Sequence, residues 1–159
     1  MSEAAEKAEA MVTEDVKSKF GDAVLQAEVQ RKGRISIKVN KDRLADVARY
    51  LKDSYNFDHL ASVSGTDYPD RKEFEVVYHV WSIPRKILAA LRVSLPREDP
   101  QLDTLIPVWE AANLHERETH EMLGINFAGH PNLSGLLLPE DWKQMPPLRK
   151  DFKLPSKPR

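Results

Sequence analysis

The 159-residue chain contains no cysteine, so it brings no thiolate to a zinc ion, a disulfide or an iron–sulfur cluster. That usage fits a reducing cytoplasm. No apolar run approaches the roughly 20 residues that cross a bilayer. The opening "MSEAAEKAEAMV" is acidic and helical in pattern without a hydrophobic core region, so no signal peptide is expected. Neither sign of charge dominates: the formal net charge is −1, and no global pull toward nucleic acid or anionic lipid follows. Membrane association, if any, must come through a partner. Neither G-x-G-x-x-G nor G-x-x-x-x-G-K-[ST] occurs, so no dinucleotide or phosphate loop is visible. The basic residues at the end (Lys150, Lys153, Lys157, Arg159) suit a surface anchor better than a nucleic-acid footprint.

The apolar residues are regularly placed. Ala4, Ala8, Met11, Val12 and Val16 recur at helical spacing over 2–19. "AVLQAEVQ" and "RISIKVN" alternate around Lys32-Gly33, the pattern of a β-hairpin. Asn40 is placed to cap a helix whose stripe is Leu44, Val47, Ala48 and Leu51. "DHLASVSGTDYPD" reads as a short strand entering a turn, and turn chemistry accounts for Ser64, Gly65 and Asp67. Two strong strands follow: Phe74, Val76, Tyr78 and Val80 line one face of the first. Ile87, Ala89, Leu91, Val93 and Leu95 line one face of the second. Pro107 opens a helix ending near Leu123, with Gly124 as its C-terminal cap. From residue 126 onward there are six prolines and two glycines in 34 residues, yet also Phe127, Leu133, Leu136, Leu137, Leu138, Trp142, Leu148 and Phe152. A disordered tail is normally poorer in such residues, so this one rests on its own domain or on a neighbour.

The expected fold is therefore α+β: a mixed or antiparallel sheet with helices packed on it, then a C-terminal helix and a long extended, proline-rich tail. The boundary falls between a lobe over 1–123 and a partner-wrapping tail over 124–159.

The stretch "HERETHEMLGI" resembles a metalloprotease zinc helix at first sight. His115 and His120 are five apart, about 140° around a helix, whereas the zinc motif places its histidines at i and i+4. His120 with Glu116 has the right spacing but supplies only two ligands, and His130 is the candidate third. A free-standing acid/base enzyme using Glu116, Glu118 and His120 is the rival reading. Ion pairing fits better: carboxylates near a helix C-terminus are unfavourable unless cations compensate, and Arg117 or Arg149 is expected to pair with Glu116 or Glu118 at a buried seam.

Read together, Glu116-Arg117-Glu118, Glu121, Gly124-Ile125, Phe127, His130-Pro131, Leu133 and Pro147-Leu148-Arg149-Lys150-Asp151-Phe152 resemble the signature of the 30-kilodalton subunit family of respiratory complex I. That family has counterparts in reduced-deazaflavin dehydrogenases and energy-converting membrane hydrogenases. "SVSGTDYPD" and "FEVVYHVWS" also look like its body. Two departures stand out: Glu121 lies where the family usually has Asp, and Ser134-Gly135 lie where it usually has basic residues. The resemblance implies a non-catalytic assembly subunit of the peripheral arm of a membrane-bound, ion-translocating oxidoreductase, on the cytoplasmic face. It implies packing on a large hydrogenase-like (49-kilodalton type) subunit, near a small iron–sulfur subunit. It implies no cofactor in this chain, iron–sulfur clusters in the neighbours, and a quinone-like or proton acceptor. Glu116, Arg117, Glu118, Glu121, Gly124, His130, Pro131 and the 147–152 block become its interface and structural signature.

Overall fold

The computed structural model describes residues 2–154, so the basic positions Lys157 and Arg159 lie outside the described residues. Helix α1 (Ser2–Phe20) leads into a hairpin of β1 (Val24–Arg31) and β2 (Arg34–Val39). Helix α2 (Leu44–Tyr55) crosses to β3 (His59–Tyr68), and β4 (Glu73–Ser82) and β5 (Ile87–Pro96) complete a five-stranded sheet of order β1-β2-β5-β4-β3. The sheet is mixed: β5 runs parallel to β2 and antiparallel to β4. Helix α3 (Ala112–Leu123) follows, and a parallel pair of short strands, β6 (Gln101–Asp103) with β7 (Asn126–Ala128), closes around it. No helix among the described residues is long and apolar enough to cross a membrane.

The alternation in β4 and β5 decides the layers. Phe74, Val76, Tyr78 and Val80 are buried with Ile87, Ala89, Leu91, Val93 and Leu95, whereas Val77, His79, Trp81, Leu88 and Ala90 on the opposite face are only half-covered. Each aliphatic side chain so buried contributes about 1.5–3 kcal/mol. Helices α1 and α2 are joined at their surface by one carboxylate: Asp15 Oδ2 accepts from the Tyr50 and Tyr55 hydroxyls, at 2.5 and 2.6 Å.

Four expectations need correction. First, "DHLASVSGTDYPD" is no short strand with a turn: β3 is ten residues long and contains Ser64, Gly65 and Asp67. A register shift between Leu60 and Ser62 breaks the alternation that periodicity would detect. Second, Asn40 makes no side-chain cap. A 3-10 turn over Lys41–Arg43 intervenes before α2, and the Asn40 amide reaches toward the Asp22 carbonyl instead. Third, α3 begins at Ala112, not Pro107. Lys52 Nζ takes the Val108 carbonyl at 2.6 Å, a carbonyl that a continuous helix would give to Ala112 N–H, and Ala112 bonds Trp109 O instead. The Trp109 indole N–H donates to Phe57 O at 2.8 Å, which pins this segment in the core. Fourth, the boundary at 123/124 cuts through the lobe. Ile125 and Phe127 are buried and β7 pairs with β6, so the lobe extends at least to Ala128.

Gly65 sets how closely α3 approaches the sheet: a Cβ there would lie 2.2 Å from Leu123 Cδ1 and 3.1 Å from Thr119 Cγ2. Gly65→Ala is expected to lower stability by about 1–3 kcal/mol through overpacking. Equilibrium urea unfolding tests this, and an unchanged midpoint would contradict the close approach.

Candidate docking site

Helix α3 buries Ala112, Glu116, Thr119 and Leu123, the i, i+4, i+7, i+11 stripe that one helix face requires. Gly124 ends it in the left-handed conformation (φ 79°), its N–H bonded to His120 O at 2.7 Å, as the sequence suggested.

Glu116 is fully buried, and among the described residues no lysine or arginine meets it. Its Oε1 accepts from the Tyr78 hydroxyl at 3.0 Å and from Leu105 N–H at 2.8 Å, and its Oε2 accepts from the Thr104 hydroxyl. Burial raises its pKa, against the opposing pull of these three donors. The expected ion pairs of Arg117 or Arg149 with Glu116 or Glu118 are therefore absent among the described residues. The reason is angular. Consecutive helical residues lie about 100° apart, so an inward Glu116 turns Arg117 and Glu118 away from the sheet. Glu118 is exposed and makes no hydrogen bond or ion pair among the described residues.

Arg117 reaches the tail. Its guanidinium donates to the Ser134 and Gly135 carbonyls at 3.3 and 3.0 Å. The two positions where basic residues were missing thus serve as backbone acceptors. Glu121 does the converse: its carboxylate accepts from the N–H groups of Leu136, Leu137 and Leu138, at 3.0, 2.8 and 3.1 Å. Burial alone would raise its pKa, but these backbone donors, with Arg117, hold it below the usual value. The side chains of Leu136 and Leu137 are left exposed.

The 147–152 block closes on the lobe, not on the E-R-E segment. Leu148 N–H donates to Met122 O at 2.9 Å, and Lys150 N–H to Asp67 Oδ2 at 2.8 Å. Arg97 clasps the buried Asp67 with two bonds of 2.8 and 3.1 Å and also reaches Asp151 at 2.9 Å. Arg149 pairs with Asp151 at 3.1 Å, while its guanidinium and that of Arg97 both lie over the Phe74 ring. Arg97 lowers the pKa of Asp67, and Arg149 brings Asp151 down to about 2. Phe152 packs near Trp142, ring centroids 6.0 Å apart. Between Gly129 and Leu154 there is no helix or strand, only turns and bends laid along α3 and the end of β3.

The imidazoles have other partners. His120 Nδ1 donates to Ile125 O at 2.8 Å, His130 Nε2 donates to Asn113 O at 3.0 Å, and Asn132 N–H donates to His130 Nδ1. Pro131 follows at the exposed start of the tail. No three His, Asp or Glu side chains converge as metal ligands among the described residues. Sequence reasoning gave no site role to Tyr78, Asp67, Arg97 or Thr104. An acidic residue at an inward-facing strand position is the one signal that would have marked Asp67.

A two-layer α+β lobe binds its own C-terminal segment at both ends while leaving Leu136, Leu137 and Leu148 of that segment outward, an arrangement that fits a small subunit-type protein. The chain belongs to the family described as the respiratory-chain NADH dehydrogenase 30 Kd subunit, whose model matches residues 37–158. It is 43% identical over 141 residues to a subunit of the F(420)H(2) dehydrogenase of Methanosarcina mazei, covering 89% of each chain. It is 40% identical over 148 residues to a subunit of the NADH-quinone oxidoreductase of a Roseiflexus species, covering 91% of this chain and 84% of that one. Among solved structures it is similar to a chain of the membrane-bound sulfane sulfur reductase, an archaeal respiratory membrane complex (TM-score 0.82, 26% identity, 93% of this chain and 86% of that one). It is also similar to the trypsin-resistant fragment of Nqo5 (TM-score 0.67, 30% identity, 78% of this chain and 98% of that one).

Proposed function

We propose that this chain is a non-catalytic docking subunit in the peripheral arm of a membrane-bound, ion-translocating oxidoreductase, on the cytoplasmic face. A reduced carrier such as a deazaflavin, NADH or ferredoxin feeds electrons to iron–sulfur clusters in neighbouring chains, and they pass to a quinone-like acceptor. This chain holds no redox centre. It packs on the large hydrogenase-like subunit, close to the small iron–sulfur subunit.

The observation carrying the reading is the pairing of a rigidly held backbone with exposed apolar side chains over residues 136–148. Three main-chain N–H groups are fixed by Glu121 while Leu136, Leu137, Met145 and Leu148 face outward. Exposed apolar groupings of this kind mark interaction sites. The rival acid/base enzyme fits poorly. Both oxygens of Glu116 are occupied by donors of the fold, the His120 ring is bonded to Ile125 O, and Glu118 points elsewhere.

The test is purification of the complex from cells in which an affinity-tagged chain replaces the native one. The tagged chain should bring down a hydrogenase-like large subunit and an iron–sulfur small subunit in equimolar amounts, and the isolated chain should transfer no electrons. A tagged chain recovered alone from intact, solubilised membranes, or turnover by the isolated chain, would overturn the reading.

A further inference from the structure

The acids and cations of the signature are not equivalent once folded. Glu116 is spent on Tyr78, Thr104 and Leu105, Arg117 on Ser134 and Gly135, Glu121 on three leucine N–H groups, and Arg149 on Asp151. Among its acids, Glu118 alone is turned outward with no partner among the described residues. Its setting is apolar. On helical geometry Leu114 and Glu118 are neighbours on the outer face of α3, between the Arg117–Glu121 flank and Met122. The tail covers both flanks. Residues 134–138 are bonded to Arg117 and Glu121, while Leu148 N–H is bonded to Met122 O. What remains between them is an open strip, or channel, that carries Leu114 and Glu118 on α3, with Leu137 and Leu148 of the tail exposed as well; Glu118 and Leu148 line one cavity together.

Cavities open on either side. One of about 210 Å³ is bounded by Val63, Glu118, Met122 and Leu148. The other, of about 490 Å³, is bounded by Glu121, Leu138, Glu140 and Trp142.

We infer that this channel receives a segment of the large subunit carrying a basic side chain flanked by aliphatic ones. The basic group pairs with Glu118, and the aliphatic groups cover Leu114, Leu137 and Leu148. The inference rests on the docking reading above and adds to it the partner's chemistry. An unpaired carboxylate beside exposed leucines selects a cation flanked by apolar groups: an acidic segment would be repelled, and an uncharged one would leave Glu118 covered without a counter-charge.

The experiment again replaces the native copy with tagged variants and measures the molar ratio of large subunit to tagged chain by quantitative mass spectrometry. Glu14, exposed on α1 and remote from the channel, provides the control. Glu118→Arg and Leu137→Asp should each lower recovery of the large subunit at least about tenfold, since loss of a desolvated charge pair or of a central apolar contact exceeds that ratio. Glu14→Arg should recover it as wild type does. The isolated variants should melt with the wild-type midpoint, because neither side chain has an internal partner to lose. Wild-type recovery with both channel variants overturns this inference and leaves the subunit reading standing. Failure of the wild-type chain itself to recover the large subunit removes the subunit reading and this inference with it. An isolated chain that is dimeric as wild type and monomeric as Glu118→Arg assigns the channel to a second copy and likewise overturns the proposal.

Discussion

Asp67→Ala is expected to detach the 147–152 block from the lobe and to lower stability by about 3 kcal/mol. The buried carboxylate is the common acceptor for Arg97 and for Lys150 N–H, and removing it strands a guanidinium and a main-chain donor together. Two measurements check this. Urea unfolding gives the stability. Limited trypsin digestion reports release of the tail through faster cleavage at Lys143 and Lys150, and wild-type resistance at both sites would contradict the clamp. The same carboxylate sets an acid limit. Arg97 holds Asp67 below the ordinary carboxylate range, and Arg149 holds Asp151 at about 2. Both folded values lie under the unfolded ones, so their stabilisation is complete above about pH 4–5 and is lost as pH falls through the folded values. Asp67→Asn should weaken the clamp at neutral pH and flatten the acid limb. Identical acid-unfolding midpoints for the two proteins would show that the clamp does not titrate in this way.

Glu116→Leu is expected to cost roughly 2–5 kcal/mol although leucine is close in volume. The Tyr78 hydroxyl and Leu105 N–H would both lose their acceptor in the interior, at about 1–3 kcal/mol for each. Glu116→Gln should behave differently, since an amide oxygen still serves Tyr78 and Leu105 and the amide N–H₂ can donate to Thr104. Its signature is in the pH dependence. Burial raises the folded pKa of Glu116, so the favourable contribution of its protonated form is fully present below the unfolded carboxyl value. It is lost as pH rises through the folded one. The stability of the glutamine variant relative to wild type should therefore increase as pH rises above the unfolded carboxyl value, until the folded group ionises. A constant difference over that rise would mean that the folded protein does not raise the pKa of Glu116.

The comparison of Glu116 with Glu118 shows where local reading stops. Both are glutamates on one helix, two residues apart, and charge alone gives no reason to bury either. Apolar spacing offered a partial guide: Ala112, Thr119 and Leu123 define the inward stripe, and Glu116 falls on it. Taking the E-R-E segment as one charged unit concealed that. Arg149 was misassigned for a different reason. Its neighbour in sequence, Asp151, is its partner, and the position of the pair is fixed by Asp67 and Arg97, which lie far from it along the chain.

What the sequence by itself determined was whatever depends on short-range order. The faces of β4 and β5, the hairpin at Lys32-Gly33, the stripe of α2 and the Gly124 stop each follow from residues within a few positions of one another. The motif order 116–152 likewise pointed to the family. Only the tertiary structure decided the hydrogen-bonding partners, because those contacts join residues far apart along the chain: Tyr78 and Glu116 are separated by 38 positions, and Asp67 and Lys150 by 83. A buried carboxylate takes whichever donors the packed layers bring to it, and that is set by the docking of α3 and the tail on the sheet, which no local periodicity encodes.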